Sequence, residues 1–142
     1  MKIGYFTDSY LPLRDGVVTA VESSAKELKA RGHEIYIIAP NHPKYREKRL
    51  NIYQLPSIEL FTPEYRMALP LPKKSLLHVL KIDFDIIHGH AGGSVSLLGR
   101  EIARFRRIPF VFTYHTFWSK YTHYIFDGKI VLPISLFLLS GI

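Results

Sequence analysis

A doubly wound parallel sheet of the α/β class is the fold this sequence predicts, and three observations predict it. Its strand-like runs, "KIGYF", "EIYIIAP", "FDIIHGH" and "IPFVFTY", are almost wholly apolar, as strands covered on both faces must be. Amphipathic helical segments separate them, which is the alternation of a layered α/β domain. The right-handed crossover rule then leaves the doubly wound arrangement. A chain of 142 residues suits one compact domain, and 47% hydrophobic against 22% charged residues excludes a disordered chain.

Taken in order, "KIGYF" (Lys2 to Phe6) is a short β-rich strand, followed by an irregular loop to Gly16. Val17, Val21, Ser24, Ala25 and Leu28 recur at helical spacing, with Glu22, Lys26, Lys29 and Arg31 largely opposite and Gly32 as the stop. "EIYIIAP" (Glu34 to Pro40) is the second strand, and "NIYQLP" (Asn51 to Pro56) a third, weaker one. Between Ser57 and Pro72 there is little periodicity, and Pro63, Pro70 and Pro72 break any helix. "KKSLLHVLKI" (Lys73 to Ile82) reads as a short amphipathic helix and "FDIIHGH" (Phe84 to His90) as a buried strand running into a loop. A helix over Gly92 to Arg107 and a last strand over Ile108 to Tyr114 complete the pattern.

The chain has no cysteine, so disulfides and thiolate metal sites are excluded. "MKIGYFTDSY" reads as a strand and lacks the features of a signal peptide, which makes a cytoplasmic location the expectation. The apolar run "IVLPISLFLLSGI" is shorter than the roughly 20 residues of a membrane span and contains Pro133. It reads as a helix that packs on something further. Net charge is +7, from 19 Lys and Arg against 12 Asp and Glu. The excess clusters in "HPKYREKR", in Arg66 with Lys73, Lys74 and Lys81, and in "REIARFRR". Such clusters suit phosphate, nucleic acid or acidic lipid, and equally suit solvated surface helices.

Ligands of doubly wound sheets bind beyond the carboxyl ends of the strands, which directs attention to "TDSYLPLRDG", "HGHAGG" and "YHTFWSKYTHY". Gly16 opens the first helix, where unpaired amides favour an anion, but a glycine needed only for the turn accounts for it as well. His88 and His90 could join His115 or His123 on a metal. With no carboxylate or thiolate suitably spaced, no metal is expected, and contact with a substrate hydroxyl or with backbone suits them better. His90, at the loop, is the better functional candidate of the two. His115 is the strongest single candidate, since an imidazole at a strand end beside Tyr114 and Thr116 can donate to a sugar hydroxyl or accept its proton. Trp118, Tyr121 and Tyr124 read more readily as a buried helix face than as a sugar platform. "PEYRMALPLPKKSLLHVLK" suits an anionic lipid interface, or a core-facing helix with solvated lysines, and periodicity does not separate these.

The series "KIGYFTDSYLPLRDGV", "RGHEIYIIAP", "YRMALPLP", "DIIHGH" and "PFVFTYHTFWSKYTHY" resembles the N-terminal domain of family-4 retaining glycosyltransferases. The resemblance is strongest to bacterial diacylglycerol glucosyltransferases and phosphatidylinositol mannosyltransferases. It implies a GT-B architecture of two Rossmann-like domains, with an acceptor-binding domain over residues 1–124. Residues 125–142 would then lead toward a second, nucleotide-sugar domain that this chain lacks, so the chain alone is expected to be inactive. It implies a UDP- or GDP-linked sugar as donor substrate, no cofactor, and transfer with retention to a lipid such as diacylglycerol. By resemblance, Gly16 approaches the donor, Asp15, His90 and Thr116 lie toward the acceptor, and His115 contacts the transferred sugar. Arg66, Lys73 and Lys74 fall where membrane-associated members engage acidic lipid, which implies a peripheral place on the inner face of the membrane. A non-catalytic module for a lipid headgroup or sugar phosphate is the alternative. Nucleic-acid binding lacks a recognition motif.

Overall fold

The computed structural model describes residues 1–60 and 66–115. Strand β1 (Lys2–Thr7) leads through a loop into helix α1 (Gly16–Ala30), then β2 (Glu34–Pro40) and β3 (Ile52–Leu55). Two short strands follow, β4 (Ser57–Glu59) and β5 (Arg66–Ala68), then helix α2 (Lys74–Val79). Strand β6 (Ile86–His90), helix α3 (Ser94–Arg106) and strand β7 (Phe110–Thr113) close the described chain. The main sheet has the order β3-β2-β1-β6-β7, and all of its pairings are parallel. The chain moves outward from β1 to β3, then returns across the sheet to β6 on the other side of β1. This makes the junction of β1 and β6 the switch point of a doubly wound sheet.

Strand alternation divides the core between two faces. Ile3, Tyr5, Ile35 and Ile37 pack with Val21 and Ala25 of α1 on one face. Phe6, Ile38, Leu55 and Ile87 pack with Leu76 and Val79 of α2 and Val95, Ile102 and Ala103 of α3 on the other. Successive side chains of a strand point oppositely, so Tyr5 and Phe6 anchor different layers. At Gly99 a Cβ would stand 2.6 Å from Cγ of Phe6, so only glycine lets α3 lie this close to β1.

The parallel sheet and its helices match the sequence pattern, with two differences of detail. Where the sequence predicts irregular chain from Ser57 to Pro72, β4 and β5 form an antiparallel pair in the register Ser57↔Ala68, Ile58↔Met67, Glu59↔Arg66. Three-residue strands are too short to show a period of two, and their pairing is decided by contact. The second helix is also shorter than its amphipathic pattern, ending at Val79 with Leu80 as its cap.

Candidate functional site

Parallel strands place the ends of β1, β6 and β7 at one edge of the sheet, and α1 and α3 begin at that edge. The two helix starts differ chemically. At α3 the capping position is Gly93, which has no side chain, and the cap comes from Asp8 in the loop after β1. The Asp8 carboxylate accepts from the backbone N–H of Gly93 (2.8 Å), Val95 (2.7 Å) and Ser96 (3.2 Å), and from the Ser94 hydroxyl (3.3 Å). A Cβ on Gly93 would meet Asp8 Cγ at 2.6 Å, so the glycine makes room for the carboxylate. Burial pushes the Asp8 carboxyl above its ordinary range, against the pull of the backbone donors. With Asp8 in place, the anion-favouring end of α3 is already filled.

The start of α1 is covered less fully, by one backbone N–H to a carboxylate where α3 gives three. Asp15 caps it, accepting from the Val18 N–H at 2.8 Å, while its other oxygen accepts from the Ser9 hydroxyl at 2.5 Å. Asp15 is thereby engaged in the fold on both oxygens. Gly16 is exposed, has nothing described within 4 Å of where a Cβ would sit, and does not occupy the left-handed region that demands glycine. Turn geometry therefore does not explain this glycine. What it leaves is a helix start with bare, accessible backbone.

The histidines gather at the ends of β6 and β7. His90 is the last residue of β6 and is 2% exposed, so its ring is closed to an acceptor and turns inward rather than into a loop. Its Nδ1 lies 3.0 Å from Nε2 of His115, which is half-buried just past β7. The His90 ring also stacks on His88, centroids 4.0 Å apart, and lies 4.9 Å from the Tyr5 ring. His88 Nε2 is 2.7 Å from the Thr113 hydroxyl. Burial, with His88 and His115 adding, pulls the His90 imidazole down from 6.5 to about 3, and burial lowers His88 as well. Ser96 secures the strand end by donating to the carbonyls of His90 and Phe6. Among the described residues no group of three His, Asp or Glu side chains is disposed to hold a metal ion.

On the other side of the β1 loop lies a cleft of about 340 Å³, walled by Asp8 through Arg14, by Pro40, Asn41 and His42, and by Arg66. Arg66 is half-buried on β5 and donates to Ser57 Oγ (2.8 Å) and the Ser57 carbonyl (3.0 Å), and Ser57 in turn donates to Asn41. It therefore faces the cleft instead of standing with the lysines. Lys73 and Lys74 are exposed at the start of α2 and form no ion pair among the described residues.

In two of the basic clusters one arginine is engaged by the protein itself. Arg49 of "HPKYREKR" bridges Glu47 at 2.8 Å and Glu22 at 3.0 Å, lies over the Tyr10 ring, and donates to the Tyr10 hydroxyl. Tyr10 donates to Glu22, and burial together with that carboxylate pushes its hydroxyl well up. Arg49 holds the Glu47 carboxyl down to about 2. Arg106 of "REIARFRR" donates to the carbonyls of Leu80 and Ile82, satisfying the end of α2. No helix among the described residues is long and apolar enough to cross a membrane.

Sequence reasoning passed over Asp8, whose partners lie some 85 residues further along and leave no local signal. It brought His90 and His115 together only as possible metal ligands, and the direct hydrogen bond between them, 25 residues apart, leaves no local signal. Thr116, Trp118, Tyr121, His123, Tyr124 and the segment 125–142 lie outside the described residues.

Similarity to known proteins identifies the family. The sequence pattern of Glycosyltransferase Family 4 matches residues 14–136. The alpha-monoglucosyldiacylglycerol synthases of Acholeplasma laidlawii and Streptococcus pneumoniae are each 36% identical, over 88% and 94% of this chain. A GDP-mannose-dependent alpha-mannosyltransferase of Mycolicibacterium smegmatis is 25% identical over 82% of the chain. The chain spans about a third of the length of these relatives, 32%, 31% and 32% respectively. In fold it is similar to MurG of Acinetobacter baumannii, with a TM-score of 0.50 at 22% identity, covering 78% of this chain and 34% of that one. A doubly wound sheet, an exposed glycine start on α1 and a histidine edge thus coincide with a pattern match over most of the sequence, and the chain belongs to Glycosyltransferase Family 4.

Proposed function

We propose that this chain is the acceptor half of a retaining glycosyltransferase that moves a sugar from a UDP- or GDP-linked donor to a membrane lipid of the diacylglycerol class. The observation that carries the reading is the carboxyl edge of the sheet. There the exposed Gly16 opens α1 and an arginine-walled cleft borders the loop after β1, while a half-buried histidine lies past β7, paired with His90. Similarity to two alpha-monoglucosyldiacylglycerol synthases supplies the substrate class.

In this reading the cleft between the β1 loop and Arg66 receives the polar head of the acceptor, with its hydroxyl turned toward the α1 start. Gly16 lets the donor's sugar or phosphate approach the backbone. His115 hydrogen-bonds the transferred sugar and holds it in place, a positioning effect that converts an encounter into an aligned reaction. Neutralising the departing diphosphate needs cationic groups preorganised around it, and these belong to a second domain. Lys73 and Lys74 sit at the amino end of α2, where the helix dipole opposes a cation, so local stability gives no reason for them. An anionic membrane surface does, and it makes the protein peripheral to the inner face. No cofactor enters this scheme.

The test is a chimera in which this chain replaces the first third of the Acholeplasma laidlawii synthase. Transfer of glucose from nucleotide-sugar to diacylglycerol vesicles is expected, with His115→Ala lowering turnover at least tenfold while the fold survives. A folded chimera that binds both substrates and transfers nothing would leave the chain a binding module.

A further inference from the structure

The single hydrogen bond between the two edge histidines has a direction, and the direction decides what His115 can do. His90 Nδ1 and His115 Nε2 are 3.0 Å apart, so one of these nitrogens carries a proton and the other accepts it. The remaining nitrogen of His90, Nε2, is buried and has no partner among the described residues. If it bore the proton, a buried N–H would be orphaned, the rarer of the two ways to leave a buried polar atom unpaired. A bare ring nitrogen packed between rings is the better tolerated form, and His88 and Tyr5 supply such rings on either side. The proton then lies on His90 Nδ1 and points at His115. His115 Nε2 becomes the acceptor, and its own proton must lie on Nδ1.

We propose that His90 is a positioning residue that fixes His115 in the Nδ1–H form, so that His115 offers a sugar a hydrogen-bond donor and not a base. The burial that keeps His90 neutral at physiological pH supports this, because a charged His90 would donate from both nitrogens. His115 sits past the end of β7 and the neighbouring strands are in register, His90 opposite Thr113. The sheet thus fixes His90 and brings the chain to within two residues of His115. In this role the imidazole steadies an electronegative hydroxyl oxygen of the transferred sugar, and proton removal from the acceptor falls to another group. The inference rests on His115 lying at the sugar, but its first readout does not depend on transfer.

Ring nitrogen NMR of the 15N-labelled chain tests it. His115 is expected to show a protonated Nδ1 and a bare Nε2 at pH 7, the reverse of the form that free histidine prefers. His90→Phe removes the donor and should shift His115 toward the Nε2–H form, with little change in the backbone spectrum outside the ring cluster. His90→Asn, whose amide can donate from the place of Nδ1, should restore the Nδ1–H form. Finding Nε2–H on His115 in the unaltered chain overturns the proposal, and that spectrum decides even where His90→Phe does not fold. An unchanged His115 spectrum in a folded His90→Phe chain overturns it too. Loss of sugar transfer in the chimera with the expected spectrum intact would instead count against the assigned reaction.

Discussion

At the residue scale, His90 and Gly16 stand at opposite extremes, one closely packed and the other uncrowded. His90 takes no proton in the folded state until about pH 3, whereas the unfolded chain takes one near 6.5. Protons therefore bind preferentially to the unfolded state below pH 6.5, and stability present above that pH is lost as the pH falls. The slope is about 1.4 kcal/mol for each pH unit until the folded value is reached. Urea unfolding at pH 7 and 5.5 should show a loss of roughly 1 kcal/mol that His90→Asn removes. His88, lowered in the same direction, steepens the loss and remains in the variant. Gly16 makes the opposite kind of prediction. Because nothing crowds its Cβ position and its backbone suits any residue, Gly16→Ala is expected to leave stability unchanged or raise it by about 0.5 kcal/mol. In the chimera the same change should cut transfer about tenfold, corresponding to about 1.4 kcal/mol of lost approach to the donor. Equal losses of stability and transfer would show that the glycine serves the fold.

At the scale of elements, the start of α3 shows how far a helix cap can come from. Helix α3 has no acidic residue in its first turn and a glycine at its capping position, so its own sequence explains its start poorly. Asp8 supplies the missing acceptor from the end of β1 and thereby ties the switch point together. Asp8→Ala would orphan several N–H groups at once and is expected to cost about 2–4 kcal/mol, read by urea unfolding. Asp8→Asn, which keeps one acceptor oxygen, should cost less. A cost below about 0.5 kcal/mol would mean that water replaces the carboxylate without loss. The β4–β5 pair is a second case of remote control. Its strands were illegible because each is three residues long, and Arg66 earns its orientation from Ser57 across the pair.

At the scale of the whole molecule, the net charge of +7 is distributed in a way that counting could not reveal. Arg49 is matched by Glu22 and Glu47, and Arg106 serves the carbonyls that end α2. Lys73 and Lys74 remain outward, beside the exposed Leu71 and Leu77. Each such lysine near an anionic bilayer contributes about 1 kcal/mol. Changing both to serine should therefore weaken binding to anionic vesicles roughly 30-fold at low salt, and far less at high salt, where screening already removes the attraction. A loss that is indifferent to salt would indicate damage to α2 instead.

The sequence by itself determined the class and direction of the sheet, the helices between its strands, and which strand ends share one edge. These follow from local periodicity and from the few topologies that parallel strands permit. It also marked His115 and Gly16, because strand ends and helix starts are visible in a linear pattern. Only the tertiary structure decided that Asp8 fills the start of α3, that His90 lies behind His115, and that Arg49 is paired with Glu22 at the surface. Each of these joins residues far apart in the chain: 25 positions for His90 and His115, 27 for Arg49 and Glu22, and 85 to 88 for Asp8 and its backbone donors. Such pairings are set by burial and by the need of every buried polar group for a partner, and no window of sequence contains them.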